Sequence, residues 1–163
     1  MSGDASPAPF ARERLIRFSD CDPAGIVFYP QYFVMFNGLV EDWVEEGLGV
    51  GYRRLIVDRR IGLPTVRLAA EFRAISRMGD RVQLALSVLR LGGRSLTLDL
   101  RCIGRTAEGG EELRMRVEQV LVTTSLDTHR SIEVPEDLRR AIGPVEGGPP
   151  EGGRGAGAAS ASS

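Results

Sequence analysis

The sequence predicts an α+β domain in which an antiparallel sheet covers one long helix. Two observations predict it. Apolar residues recur every three or four positions over residues 30–47, and every second position from residue 64 onward. Turn-forming clusters then cut the second region into separate runs: Met78-Gly79-Asp80, Gly92-Gly93 and Glu108-Gly109-Gly110.

The elements follow in order. Residues 1–9 read as a frayed terminus. Residues 10–19 form a first strand of poor alternation, with Arg12, Arg14, Ile16 and Phe18 on one side. Residues 20–29 are a tight turn that holds two carboxylates, Asp20 and Asp22. The helix over 30–47 carries Tyr32, Phe33, Phe36, Leu39, Val40, Trp43 and Val44 on its apolar stripe, a load that demands central burial. Gly47 and Gly49 end it. A short second helix fits residues 51–60.

Four alternating runs come next: Val66 to Phe72, Val82 to Val88, Leu96 to Cys102 and Leu113 to Val117. They read as a four-strand meander with one face toward the core, which the helix covers. Residues 135–142 suggest a terminal helix with Pro135 at its start. Residues 143–163 are Gly, Pro, Ala and Ser with little to bury, so they read as a disordered tail beyond a 10–142 domain.

Composition excludes many chemistries. At 163 residues the chain suffices for one domain with a real core. A net charge of −1 argues against nucleic-acid partners. There is no apolar run of membrane-spanning length, and residues 1–10 do not resemble a signal peptide; the expected location is the cytoplasm. Cys21 and Cys102 are too few for a disulfide framework or a metal knuckle. His129 is the sole histidine, so no histidine-rich metal site forms, and no cofactor is called for. All 21 basic residues are Arg, which removes lysine chemistry. No phosphate-binding glycine loop and no GxSxG elbow occur. Chemistry falls to carboxylates, backbone amides and hydroxyls.

The most informative stretch is Asp20-Cys21-Asp22-Pro23-Ala24-Gly25-Ile26-Val27-Phe28-Tyr29-Pro30-Gln31-Tyr32. Pro30 suits the first helical position, where its fixed φ fits and its missing N–H has no intrahelical role. The expected N-cap, Tyr29, cannot cap with a side-chain oxygen as Ser or Asp would. The first amides are left for an outside acceptor, and a helix start favours a negative one. A carboxylate beside such a start can attack a carbonyl while the amides hold the resulting oxyanion. On turn chemistry alone, Asp22 is more often an Asx-turn residue ahead of Pro23 than a reacting group, and Asp20 is structural.

This stretch closely resembles the signature of the 4-hydroxybenzoyl-CoA thioesterase family, a branch of the hotdog-fold thioesterases. The resemblance runs from about Arg14 to about Ile142 and is most specific over 20–32 and over Arg130-Ser131-Ile132-Glu133-Val134-Pro135. It implies the hotdog fold, a curved antiparallel sheet wrapped around one long central helix. It also implies hydrolysis of an aromatic acyl-CoA such as 4-hydroxybenzoyl-CoA to the free acid and CoA. It places the catalytic carboxylate on Asp22 and the oxyanion donor on the Tyr29 backbone N–H. Asp22 then acts either as nucleophile, through a mixed anhydride, or as general base on water. Gly25 lets the chain fold back at the thioester, or is simply a turn glycine.

Asn37 departs from the pattern, because the matching helix position is acidic in the 4-hydroxybenzoyl-CoA enzyme and accepts from the ring hydroxyl. Asn still accepts through its carbonyl oxygen but offers no charge-assisted bond, so benzoyl or another aryl-acyl group competes. Arg94 and Arg130 match basic residues that meet the CoA nucleotide, while Gly92 and Gly93 replace two further basic positions. A broader short-chain acyl-CoA thioesterase and a non-catalytic acyl-CoA-binding protein are the competing readings. In many of the former a His follows the motif aromatic, where this chain has Pro30. The resemblance further implies a homodimer or homotetramer with sites between subunits.

Overall fold

Helix α1 (Tyr29–Asp42) runs straight into a π turn, Trp43–Gly47, so the predicted 30–47 helix is recovered almost to the residue. Tyr32, Met35, Phe36, Leu39, Val40, Trp43 and Val44 are buried along it. The computed structural model describes residues 8–145. Its strands are β1 (Phe10–Leu15), β2 (Ile61–Gly62), β3 (Thr65–Phe72), β4 (Arg81–Leu91), β5 (Ser95–Arg105), β6 (Glu111–Val122) and β7 (Thr124–Ser125). A short helix, α2 (Glu136–Ile142), follows with Pro135 at its N-cap. The expected tails, 1–9 and 143–163, lie outside the described residues except at their margins.

The core is a single cluster between α1 and the sheet. Leu84 and Leu86 of β4, Leu96, Leu98, Leu100 and Cys102 of β5, and Met115, Val117 and Leu121 of β6 all meet the helix stripe or one another there. This is the hotdog arrangement: an antiparallel sheet wrapped around a central helix. Among the described residues no helix is long and apolar enough to cross a membrane.

The topology corrects the expected meander. The five-stranded sheet has the order β1-β4-β5-β6-β3, all neighbours antiparallel. Only β4, β5 and β6 meander. The β3–β4 link, residues 73–80, is too long for a tight hairpin, and it crosses the sheet end instead. β3 therefore joins the far edge beside β6, and β1 takes the place expected for it beside β4. The expected single buried face also fails for β3, which is exposed along its whole length. Val66, Leu68 and Phe72 keep much of their surface in solvent there, because at this sheet edge only the near end of α1, through Tyr29 and Tyr32, meets the strand, at Phe72.

Two smaller differences concern the ends of elements. The first strand stops at Leu15 and yields to a 3-10 turn at Phe18–Asp20, consistent with its poor alternation. The expected 51–60 helix is found over residues 52–58, mostly as a π turn, Arg54–Asp58, with Leu55 buried.

Cys102 is fully buried, and burial pushes its thiol up to about 12 from an ordinary 9.0. The unfolded chain loses that proton near 9, whereas the folded chain keeps it until about 12. Its contribution is therefore intact below pH 9 and lost as pH rises through that window. Urea midpoints measured from pH 8 to 11 should fall steadily in wild type and less steeply in Cys102→Ala; parallel slopes would contradict the assignment.

Candidate active site

Two carboxylates of the same turn do different work. Asp20 is buried, and its oxygens accept from the Arg17 amide at 2.8 Å and the Arg14 guanidinium at 3.1 Å. Its carbonyl accepts from the Phe28 amide at 2.9 Å, which ties the entry of the turn to its exit. Between them Cys21 bridges Val27, and the Asp22 amide donates to the Ile26 carbonyl at 3.0 Å. Gly25 closes the tip with φ of +78°, donating to the Asp22 carbonyl at 2.9 Å. A Cβ on Gly25 would meet nothing within 4 Å, so the glycine answers to the left-handed backbone rather than to a close approach.

Asp22 is only half-buried. One oxygen, Oδ1, accepts from the Ala24 amide at 2.9 Å, the Asx-turn contact its sequence suggested. Its other oxygen has no donor among the described residues.

The helix start lies one residue earlier than predicted. Phe28 is the N-cap, Tyr29 the first helical residue and Pro30 the second. Proline is tolerated there because none of the first amides has an intrahelical partner. Phe28 offers no side-chain cap either. The Gln31 amide donates to the Phe28 carbonyl at 2.8 Å, whereas the Tyr29 amide has no acceptor among the described residues. The open donor is thus at Tyr29, at the positive end of the helix dipole.

One face of α1 leads away from that donor through Tyr29, Phe33 and Asn37, spaced by four residues. The Tyr29 ring stands edge-on to Phe33 at 6.5 Å and to Phe72 of β3 at 6.2 Å. Beyond it an open cavity of about 370 Å³ is lined by Phe33, Phe36, Asn37, Leu68, Val117 and Gln119, among others. Asn37 is exposed and donates through Nδ2 to Glu41 at 3.1 Å. Gln119 is buried and donates to the Thr65 hydroxyl at 2.7 Å. Sequence reasoning passed over Gln119, although it continues the inward phase of Met115 and Val117 on β6, where a polar residue is out of place.

Arg94 and Arg130 gather elsewhere. Arg94 ends the turn between β4 and β5, where its guanidinium meets Glu133 at 3.0 Å and the Ser131 hydroxyl at 3.4 Å. The Val134 amide donates to the Gly93 carbonyl at 2.8 Å, which draws the 130–135 segment onto that hairpin. Arg130 is exposed on it, beside His129, itself exposed with a φ of +55°. The Asp22 turn is anchored at the other end of β4, since Val27 bonds to Ser76 and Ile16 to Asp80. The eleven residues of β4 separate the two groups by roughly 30 Å of strand. One chain brings Asp22, Gly25 and Tyr29 together, with Asn37 further along the same helix, but not the arginines.

A family model described as the thioesterase-like superfamily matches residues 16–142. The chain belongs to that superfamily. Within it, the chain falls in the 4-hydroxybenzoyl-CoA thioesterase-like family of hotdog-fold, acyl-CoA-type thioesterases. It is 31% identical over 130 residues to the 4-hydroxybenzoyl-CoA thioesterase of Pseudomonas sp. strain CBS-3, covering 77% of this chain and 91% of that one. A 1,4-dihydroxy-2-naphthoyl-CoA hydrolase of Synechococcus elongatus is 30% identical over 95 residues, 58% of this chain and 69% of its own. A crystal structure of a 4-hydroxybenzoyl-CoA thioesterase mutant complexed with 4-hydroxybenzoyl-CoA superimposes with a TM-score of 0.76. Its sequence identity is 27%, and the match covers 83% of this chain and 99% of that one.

The two turn carboxylates should separate in a stability measurement. Asp20→Ala strips the Arg17 amide and Arg14 of a buried charged acceptor, an expected loss of about 2–3 kcal/mol in urea unfolding. Asp22→Ala removes one half-exposed contact and should fall below about 1 kcal/mol. Equal losses would contradict this division.

Proposed function

We propose that this chain hydrolyses an aromatic acyl-CoA of the 4-hydroxybenzoyl type to the free acid and CoA. The observation that carries the reading is a carboxylate with one free oxygen on the same hydrogen-bonded turn as an uncapped helix amide, at the start of an aromatic-lined helix face. In this reading the thioester carbonyl oxygen accepts from the Tyr29 N–H, and the helix dipole steadies the charge that develops there. Asp22 supplies the other half. As nucleophile it forms a mixed anhydride and expels the CoA thiolate, and water then opens the anhydride. As general base it takes a proton from the attacking water, and the same thiolate leaves.

Aryl selectivity is supported by the helix face. Asn37 lies eight residues beyond Tyr29, about 12 Å along the axis, and helical side chains lean back toward the N-terminus. A ring whose carbonyl sits at Tyr29 reaches toward the Asn37 amide over Phe33. Asn37 accepts a ring hydroxyl without the strength of a carboxylate. A second reading, a two-ring acyl group such as 1,4-dihydroxy-2-naphthoyl, is favoured by the size of the cavity beside Asn37, about 370 Å³.

The arginines support an assembled site. An extended CoA arm does not bridge the length of β4, so the Arg94 and Arg130 that meet the nucleotide beside a given Asp22 come from a second copy. The exposed apolar residues of β3 are consistent with such a partner.

Three measurements test the reading. With CoA release followed by a thiol reagent, Asp22→Asn should lose at least about a hundredfold in kcat on aryl-CoA; unchanged turnover removes Asp22 from the mechanism. Asn37→Asp should raise activity on 4-hydroxybenzoyl-CoA relative to benzoyl-CoA, and equal effects on both would make Asn37 a bystander. Mixing Asp22→Asn with an Arg94→Glu/Arg130→Glu variant should restore activity that neither has alone, because hybrid assemblies rebuild one intact site. No restoration after subunit exchange would place all three residues in service of a single chain.

A further inference from the structure

Arg114 sits where the pairing of β5 and β6 slips. Cys102 pairs with Met115 and Ile103 with Leu113, which makes Arg114 the extra residue of a β-bulge. Arg114 and Met115, adjacent in sequence, are consequently both buried. The guanidinium lies across Gly104, where a Cβ would come within 2.5 Å of its Nε, so any side chain there would have to displace the guanidinium. From there it donates to the Ile75 carbonyl, to the Arg105 carbonyl at 2.8 Å and to Asp80 at 3.4 Å. Glu112 stands 2.9 Å from Nε. It lies off the N–H axis, and that N–H has no aligned acceptor among the described residues. The Arg114 carbonyl accepts from the Arg73 and Ala74 amides at 2.9 and 3.1 Å. One residue thus staples both ends of the 73–80 connection.

That connection carries the Asp22 turn. The Ser76 carbonyl accepts from the Val27 amide at 2.9 Å, and Arg77 bridges Ile26. On the other side the Ile16 amide donates to Asp80 at 2.8 Å, and Gly79 returns a bond to Ile16 at 2.9 Å. Ile16 and Val27 bracket Asp20, Asp22 and Gly25. A guanidinium withdrawn from water is retained only where its hydrogen bonds compensate, and two of the three it makes go to the connection.

We propose that Arg114 is a positioning residue: acting through residues 73–80, it fixes the turn that presents Asp22 and the Tyr29 amide. The inference rests on the thioesterase reading above. Small displacements of a reacting group lower turnover steeply without loosening substrate binding equally. The bulge and Gly104 together form a device for this, since neither is needed for a plain β5–β6 ladder.

The test measures kcat and KM on aryl-CoA for Arg114→Ala, Arg114→Lys and Gly104→Ala, together with amide hydrogen exchange at Val27. Arg114→Ala should lower kcat by about a hundredfold with KM held within about threefold. Arg114→Lys should recover part of that. Gly104→Ala, which keeps the arginine but displaces it, should move kcat in the same direction. Exchange at Val27 should quicken in Arg114→Ala and Gly104→Ala. Unchanged kcat in Arg114→Ala overturns the proposal, and so does a kcat loss with Val27 exchange unaltered. Where Arg114→Ala does not fold, Gly104→Ala carries both readouts. Wild type that releases CoA from no acyl-CoA sinks the functional reading instead, and the exchange arm then decides the positioning alone.

Discussion

The structure depends on hiding one unusually aromatic helix. Tyr32, Phe36 and Trp43, with Met35, Leu39, Val40 and Val44, give α1 more apolar surface than a single flat contact could cover. A sheet curled around the helix solves this, and the buried Leu, Met and Val of β4, β5 and β6 supply the opposing wall. Once the helix is fixed, so is its start. The uncapped amide of Tyr29 is thereby held at one end of the sheet, and the 20–28 turn needs only to fold back on itself to bring a carboxylate onto the same loop.

That turn is stabilised from within. Asp20 spends both carboxylate oxygens and its carbonyl on holding the loop, which leaves Asp22 nearly unencumbered. The division follows from burial: a carboxylate shielded from water has to be satisfied by protein donors, whereas a half-exposed one does not.

Much of this was legible in the sequence. The α1 stripe, the uncapped start and the structural role of Asp20 all followed from local chemistry: spacing, proline placement and the short reach of an aspartate. The cap itself was misplaced by one residue, because Pro30 is as acceptable at the second helical position as at the first. Strand order was not legible. Alternation tells which residues share a face but not which strand is a neighbour, and a long 73–80 link is as silent about destination as a short one is explicit. β3 has the same alternation as its siblings, yet at the sheet edge no side chain of it is buried, and only Phe72 reaches the aromatic start of α1. By alternation Arg114 falls in phase with Arg116 and Glu118, opposite to Met115 and Val117; the bulge reverses that phase at one position, and no period of two can announce it. Gln119 was findable by extending the inward phase of β6 two residues further. The grouping of Arg94 with the 130–135 segment rests on long-range backbone pairing that no local pattern encodes.

The bare rim formed by β3 has a bearing on how the molecule behaves when dilute. Val66, Leu68 and Phe72 stay wetted for as long as a chain is alone, and open backbone groups run beside them. Any companion that shields this rim ties folding to mass action, so robustness becomes a property of the population rather than of the individual molecule. Scarcity would then weaken the fold and, by leaving adhesive strands uncovered, favour clumping over recovery.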